Sequence, residues 1–125
     1  MLQTEANHAL DRGSVLTKAL LRTLGILGLS GREAGRIIGM SEATISRMRN
    51  GAFALEEGSK PFELAALLVR AFRSLDAITG GDEKTARTWL RSPNTTLGVS
   101  PIERMFTVEG LVDVVAYLDA RRAPI

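Results

Sequence analysis

The stretch Ser30-Gly-Arg-Glu-Ala-Gly-Arg-Ile-Ile-Gly-Met-Ser-Glu-Ala-Thr-Ile-Ser-Arg-Met-Arg-Asn-Gly51 decides the fold. Ser30 with Glu33 forms a capping box, each side chain satisfying the other residue's free backbone N–H. Ser41 caps a second short helix after the tight Gly39-Met40-Ser41 turn, and Asn50-Gly51 supplies a left-handed exit. Ala34, Ile37, Ile38, Met40, Ile45 and Met48 are spaced to pack the two helices together. Left outside on the second helix are Glu42, Ala43, Thr44, Ser46, Arg47 and Arg49, side chains of the kind that touch phosphates and base edges. The pattern predicts a DNA-binding helix-turn-helix, with Ser41, Glu42, Thr44, Ser46, Arg47, Arg49 and Asn50 as its DNA-contacting set. An ordinary helical hairpin with a basic outer face is the alternative, and it does not account for the turn length, both caps and the polar outer face together.

Working outward, Val15, Leu16, Ala19, Leu20, Thr23, Leu24 and Leu27 repeat at helical spacing and predict a preceding helix over 14–27, ended by Gly28. Two short helices cannot bury a core alone, so this third one is required. Residues 1–13 carry weak periodicity and read as a loose arm. The helix-turn-helix domain is expected over 14–58. The breakpoint Gly51-Ala-Phe-Ala-Leu-Glu-Glu-Gly-Ser-Lys60 leads to a central connecting helix within 59–80, capped by Ser59 with Pro61 in its first turn. That helix, from Pro61 to about Ile78, is apolar nearly all round and should be covered on most sides.

The last segment, 81–125, opens with Gly80-Gly81 behind it and a short helix capped by Asp82 that runs to Leu90 or Arg91. A loop over 92–98 follows. Ser100-Pro101-Ile-Glu103 reads as another capping box with proline at the first helical position. The final helix is expected over 107–120, with Leu111, Val114, Val115 and Leu118 in one stripe. Its valines suit a strand as well, but length and the i, i+3, i+4, i+7 spacing favour helix. The predicted class is all-α.

Composition narrows the function. Hydrophobic residues make up 45% of the 125 and there is no cysteine, which supplies a core and removes disulfides and thiolate chemistry, as a reducing cytoplasm allows. The longest apolar runs fall well below the about 20 residues of a membrane helix, and the N-terminus lacks the pattern of a secretory signal. Residues 12–50 hold seven Arg or Lys (Arg12, Lys18, Arg22, Arg32, Arg36, Arg47, Arg49) against Glu33 and Glu42, whereas 51–125 hold nine basic and ten acidic side chains. A basic half beside a nearly neutral half suits a DNA reader joined to a segment with another partner, although a solvated basic face looks similar.

Catalysis finds little support. The only histidine, His8, has no metal-ligating neighbour in sequence, and no serine lies beside a suggestive base. Gly25-Ile-Leu-Gly28-Leu-Ser-Gly31 lacks the Gly-Lys-Ser/Thr of a phosphate loop. Neither an enzyme, a metal nor a cofactor is expected.

The second half then adds a resemblance. Trp89-Leu90, Pro93-Asn94, Leu97-Gly98, Pro101 and Glu109-Gly110-Leu111 resemble, in order, the pattern of the C-terminal toxin-binding domain of the Xre/MbcA/ParS antitoxins. With the Xre-like helix-turn-helix ahead, the resemblance covers roughly residues 14 to 120. On the residues alone, Trp89 is a core anchor worth about 3 to 5 kcal/mol, Pro93-Asn94 and Gly98 are turn chemistry, and Arg121 and Arg122 complement a helix dipole. The resemblance implies more: a homodimer that binds its own operator DNA and neutralises a RES-domain, NAD-consuming toxin. It places toxin contacts at Trp89, Pro93, Asn94, Leu118, Arg121, Arg122 and Pro124, with the two arginines suited to a pocket that accepts phosphates. The absence of a glutamine pair at the starts of the helices leaves the base code open. A phage-type repressor whose C-terminal half only dimerises, and a protein-interaction module without DNA binding, are the competing readings.

Overall fold

A computed structural model describes residues 11–122; the first ten residues, with His8 and most of the expected arm, and the last three, with Pro124, lie outside the described residues. Among the described residues seven helices follow in order: α1 (Arg12–Leu27), α2 (Gly31–Ile38), α3 (Glu42–Arg49), α4 (Lys60–Ile78), α5 (Glu83–Arg91), α6 (Pro101–Arg104) and α7 (Val108–Arg122). No strand occurs among the described residues, so the all-α expectation holds.

The first helix begins earlier than its periodicity indicates, at Arg12 rather than Ser14, because the Asp11 carboxylate caps it by accepting from the Ser14 N–H at 3.0 Å. A second contact fixes that end. Thr17 Oγ1 donates to the Gly13 carbonyl (2.6 Å) and accepts from the Leu55 N–H (2.9 Å), which straps the 51–59 loop over α1. Gly13 is needed there, since a Cβ would collide with the Leu55 carbonyl. Gly28, at φ 66°, ends the helix in the left-handed region that glycine adopts at least cost.

Both caps of the helix-turn-helix form as read. The Ser30–Glu33 box is complete, and Ser41 Oγ accepts from the Thr44 N–H at 3.1 Å. The turn is tight because the Gly39 and Met40 N–H groups both donate to the Gly35 carbonyl. A Cβ on Gly35 would strike the Met40 carbonyl, so the close approach of α2 and α3 depends on that glycine. Ala34, Ile37, Ile38, Ile45 and Met48 are buried between them, and Met40 is half-buried.

The central helix, α4, is capped by Ser59 with Pro61 in its first turn. It buries Ala65, Leu68, Val69, Ala71, Phe72 and Leu75 against α1 and α2 on one side and α7 on the other. Coverage is less complete than the sequence suggests: Ala66 and Ile78 are exposed, and Phe62, Leu64 and Leu67 only half-buried. A third flank of α4 therefore faces outward.

The next helix starts on the Asp82 cap, behind Gly80 and Gly81 at φ 63° and 82°. The capping box expected at Ser100–Glu103 does not form. In a helix of only four residues the Ser100 hydroxyl donates directly to the Glu103 carboxylate (3.1 Å), and no side chain caps the backbone. Thr107 Oγ1 accepts from the Gly110 N–H at the start of α7, where a Cβ on Gly110 would overlap the Arg104 carbonyl. The Leu111, Val114, Val115 and Leu118 stripe is buried on α4. Two residues more than expected are helical at the end of α7. Asp119 is anchored across the interface, accepting from Ser74 Oγ at 2.7 Å and pairing with Arg70.

Arginines join the N- and C-terminal halves. The Arg91 guanidinium meets both Glu33 carboxylate oxygens at 2.9 Å and donates to the Gly28 carbonyl at 3.0 Å. Arg87 donates to the Ile26 carbonyl at 3.2 Å. Arg36 of α2 lies 3.9 Å above the Phe106 ring, an attraction of cation to ring quadrupole. Glu33 thus serves the α2 cap and the bridge together. The Arg91 hydrogen bonds are the main cause that holds its carboxyl well below the usual range, at about 2.

Candidate functional site

Two outer faces carry the side chains singled out in the sequence. The first is α3. Glu42, Ala43, Ser46, Arg47, Arg49 and Asn50 are exposed on it, and Thr44 is half-buried. Two of the expected contact residues are occupied internally: Ser41 Oγ and Thr44 Oγ1 share a 2.9 Å hydrogen bond while Ser41 caps the helix. Arg49 is drawn toward the turn before α2, its guanidinium donating to the Leu29 carbonyl at 3.3 Å. Arg47 stands differently, with its guanidinium carbon 5.5 Å from the Phe53 ring centre, a separation at which such contacts are weak when exposed. The outward set is therefore Glu42, Ser46, Arg47 and Asn50, with Arg47 its reaching cation.

Beside α3 lies a hollow of about 270 Å³ whose walls include Ser14, Lys18, Arg49 and Phe53. It brings a second cation, Lys18 of α1, to the same side as the helix end. Sequence spacing does not reveal this, because Lys18 and Arg49 belong to different helices.

The second face joins α5, the 92–100 loop and α7. Trp89 is half-buried and stacks on Tyr117, with ring centres 6.0 Å apart and planes 25° from parallel. On Tyr117 lies the Arg121 guanidinium, 3.5 Å from the ring centre, also donating to the Tyr117 carbonyl. The result is a fixed column of indole, phenol ring and guanidinium. Next to it is a shallow hollow of about 410 Å³ between Trp89, Lys84, Thr85, Thr88 and Ser92.

The other candidates divide. Pro93 and Arg122 are exposed. Asn94 builds its own loop, the side-chain carbonyl accepting from the Thr96 and Leu97 N–H groups at 3.0 and 3.1 Å, with its amide 3.5 Å from the Tyr117 hydroxyl. Leu118 is 2% exposed and belongs to the core beneath α7; as an expected contact residue it is corrected, since its stripe faces α4 and no partner reaches it. Tyr117, the only tyrosine, was not singled out by the sequence reading. Its one local signal is Arg121 four residues on, the spacing that brings two helical side chains together.

Among the described residues no helix is long and apolar enough to cross a membrane, and no group of His, Cys, Asp or Glu is placed to hold a metal. A search of curated proteins returns no match to this chain. Two family descriptions do match, and they meet inside α4. Residues 6–70 match the antitoxin Xre-like helix-turn-helix domain. Residues 74–123 match the antitoxin Xre/MbcA/ParS C-terminal toxin-binding domain. The first match takes in α1 to α3, and the second takes in the aromatic column on α5 and α7. The chain belongs to the Xre/MbcA/ParS antitoxin family, with an Xre-like helix-turn-helix and a C-terminal toxin-binding domain.

Proposed function

We propose that the chain is a type II antitoxin that neutralises a cognate RES-type, NAD-consuming toxin in the cytoplasm and represses its own operon as a DNA-binding homodimer. The observation that carries the toxin half is the Trp89–Tyr117–Arg121 column, two half-buried rings under an exposed guanidinium, within the matched toxin-binding segment. Residues of these three types dominate binding energy at protein interfaces. The column is already ordered by internal stacking, so docking on it costs little further conformational entropy. Since Arg121 is held on Tyr117, Arg122 is the arginine we assign to a phosphate-accepting pocket of the toxin.

Support for the DNA half comes from α3. Its caps are satisfied internally, and it leaves Glu42, Ser46, Arg47 and Asn50 outward, the position from which a recognition helix enters the major groove. Two such helices on one dimer would read half-sites about one duplex turn apart.

Growth rescue tests the proposal. The toxin encoded beside this chain is co-expressed with the full chain, with Trp89→Ala, and with Arg121→Ala, Arg122→Ala. The full chain should protect cells and the variants should protect less. A full chain that neither protects nor captures the neighbouring protein would remove the antitoxin proposal.

A further inference from the structure

The outward flank of α4 continues onto α7. Phe62, Ala66 and Leu67 lie there, and Leu67 shares a hollow with Val108, which is 60% exposed; Val112, one turn further along α7, is 47% exposed. Two hollows, of about 350 and 390 Å³, share Glu63 and Leu67 in their walls. No described residue fills them. The flank also carries ordered charge. Glu63 and Arg70 stand two helical turns apart on one line of α4, with side chains 57% and 63% exposed.

From that order we infer that this flank is the homodimer interface, with a second copy laid antiparallel across α4 and the twofold axis passing between Ala66 and Leu67. In this register Glu63 of each copy faces Arg70 of the other. A twofold contact is isologous, so each residue must find its complement at the symmetry-related position of the same surface, and an acid and a base placed symmetrically about the midpoint of Ala66 and Leu67 meet that condition. Ala66 lets the helices approach, while each Leu67 enters the hollow bordered by Leu67 and Val108 of the other copy. Existing pairs do not prevent it. Lys60–Glu63 is an exposed ion pair of small worth, and the Arg70 fork that meets Asp119 keeps further N–H donors for a second carboxylate.

A toxin is the less suitable occupant. Self-complementary charge order is a requirement of a second copy and not of an unrelated partner. The Trp89–Tyr117–Arg121 column also belongs to another side of α7. Val108 and Val112 are spaced by four, whereas Tyr117 and Arg121, each nine residues further on, lie about 180° round the helix from them. The flank and the column are thus able to hold different partners at the same time. The inference rests on the homodimer proposed above and sharpens it to a surface and a register.

Charge reversal of the full-length chain tests it. By light scattering and sedimentation, the unmodified chain should be a dimer at micromolar concentration. Glu63→Arg and Arg70→Glu should each weaken self-association by ~10-fold or more, because like charges then face each other twice. An equimolar mixture of the two variants should recover the dimer, since each reversed charge meets the other reversed charge and the native pair meets its native partner. Circular dichroism confirms folding, and Ala66→Trp, at an exposed helical position, gives a test that leaves the charges alone; it too should weaken the dimer. A monomeric unmodified chain, single variants that associate as strongly as the unmodified one, or a mixture that stays monomeric would each overturn the interface. Toxin capture is measured in parallel. Monomeric variants that still capture toxin support the separation of the two surfaces, and an unmodified dimer that captures none counts against the antitoxin proposal while leaving the interface standing.

Discussion

The outer face of α3 and the outer face shared by α5 and α7 present cations in opposite ways. On α3 the polar groups near the helix start satisfy the backbone, and Arg47 is left with only a loose contact to Phe53. On α5 and α7 the cation is fastened: Arg121 sits on Tyr117, which stacks on Trp89. A guanidinium without tight internal partners is left available for phosphates and base edges. An ordered aromatic column suits one protein surface of fixed shape. Each half therefore holds its candidate contacts in the manner that its proposed partner demands.

The sharpest way to break one half without the other is to remove the close approach that shapes it. Gly110→Ala should be the most damaging single change, at about 3 kcal/mol, because the added Cβ meets the Arg104 backbone carbonyl and neither strand of chain yields easily. Thermal melts of the variant and the unmodified chain would show it. Gly25→Ala provides the contrast, since nothing lies near a Cβ there and alanine is the better helix former. It should leave stability unchanged or raise it by about 0.5 to 1 kcal/mol.

The bridge between the halves is the next target. Arg91→Ala should cost about 1 kcal/mol, a value kept low because both partners are partly exposed. The bridge also sets a pH dependence. Glu33 ionises in the folded chain at about 2, below its ordinary 4.5. Its contribution to stability is therefore fully present above about pH 4.5 and is lost as pH falls toward about 2. Glu33→Gln should flatten that part of the stability curve, as followed by denaturant titration at several pH values. An unchanged slope would mean that other carboxylates govern the acid limb.

Much of the fold was legible because its signals are local. Ser30, Ser41, Ser59 and Asp82 each cap the helix that follows, and Gly28, Gly39 and Gly51 each take positive φ where a helix or turn ends. Ser100 shows the limit of that logic: the same residue pattern in a four-residue helix lets the hydroxyl reach the carboxylate instead of the backbone. The candidate site was less legible. Leu118 follows a helical stripe that the sequence displays well, yet the stripe's inward direction makes it core rather than contact. Trp89 and Tyr117, and Glu33 and Arg91, meet only after folding, across separations that no spacing rule connects. The same holds for Arg49, whose acceptor is the carbonyl of Leu29 on the turn before α2.

Separating the two partners tests the division of labour most directly. Arg47→Ala and Trp89→Ala are each titrated against the DNA upstream of the chain's own gene, at several salt concentrations, and against the neighbouring toxin. Arg47→Ala should lose about 1 to 3 kcal/mol of DNA affinity if it reads a base, or flatten the salt slope by about one phosphate if it touches the backbone, with toxin affinity unchanged. Trp89→Ala should lose toxin affinity by about 2 kcal/mol or more and keep its DNA affinity. Variants that lose both partners together, or an Arg47→Ala chain that binds DNA as the unmodified one does at every salt concentration, would contradict the assignment of α3 to DNA and the α5–α7 face to the toxin.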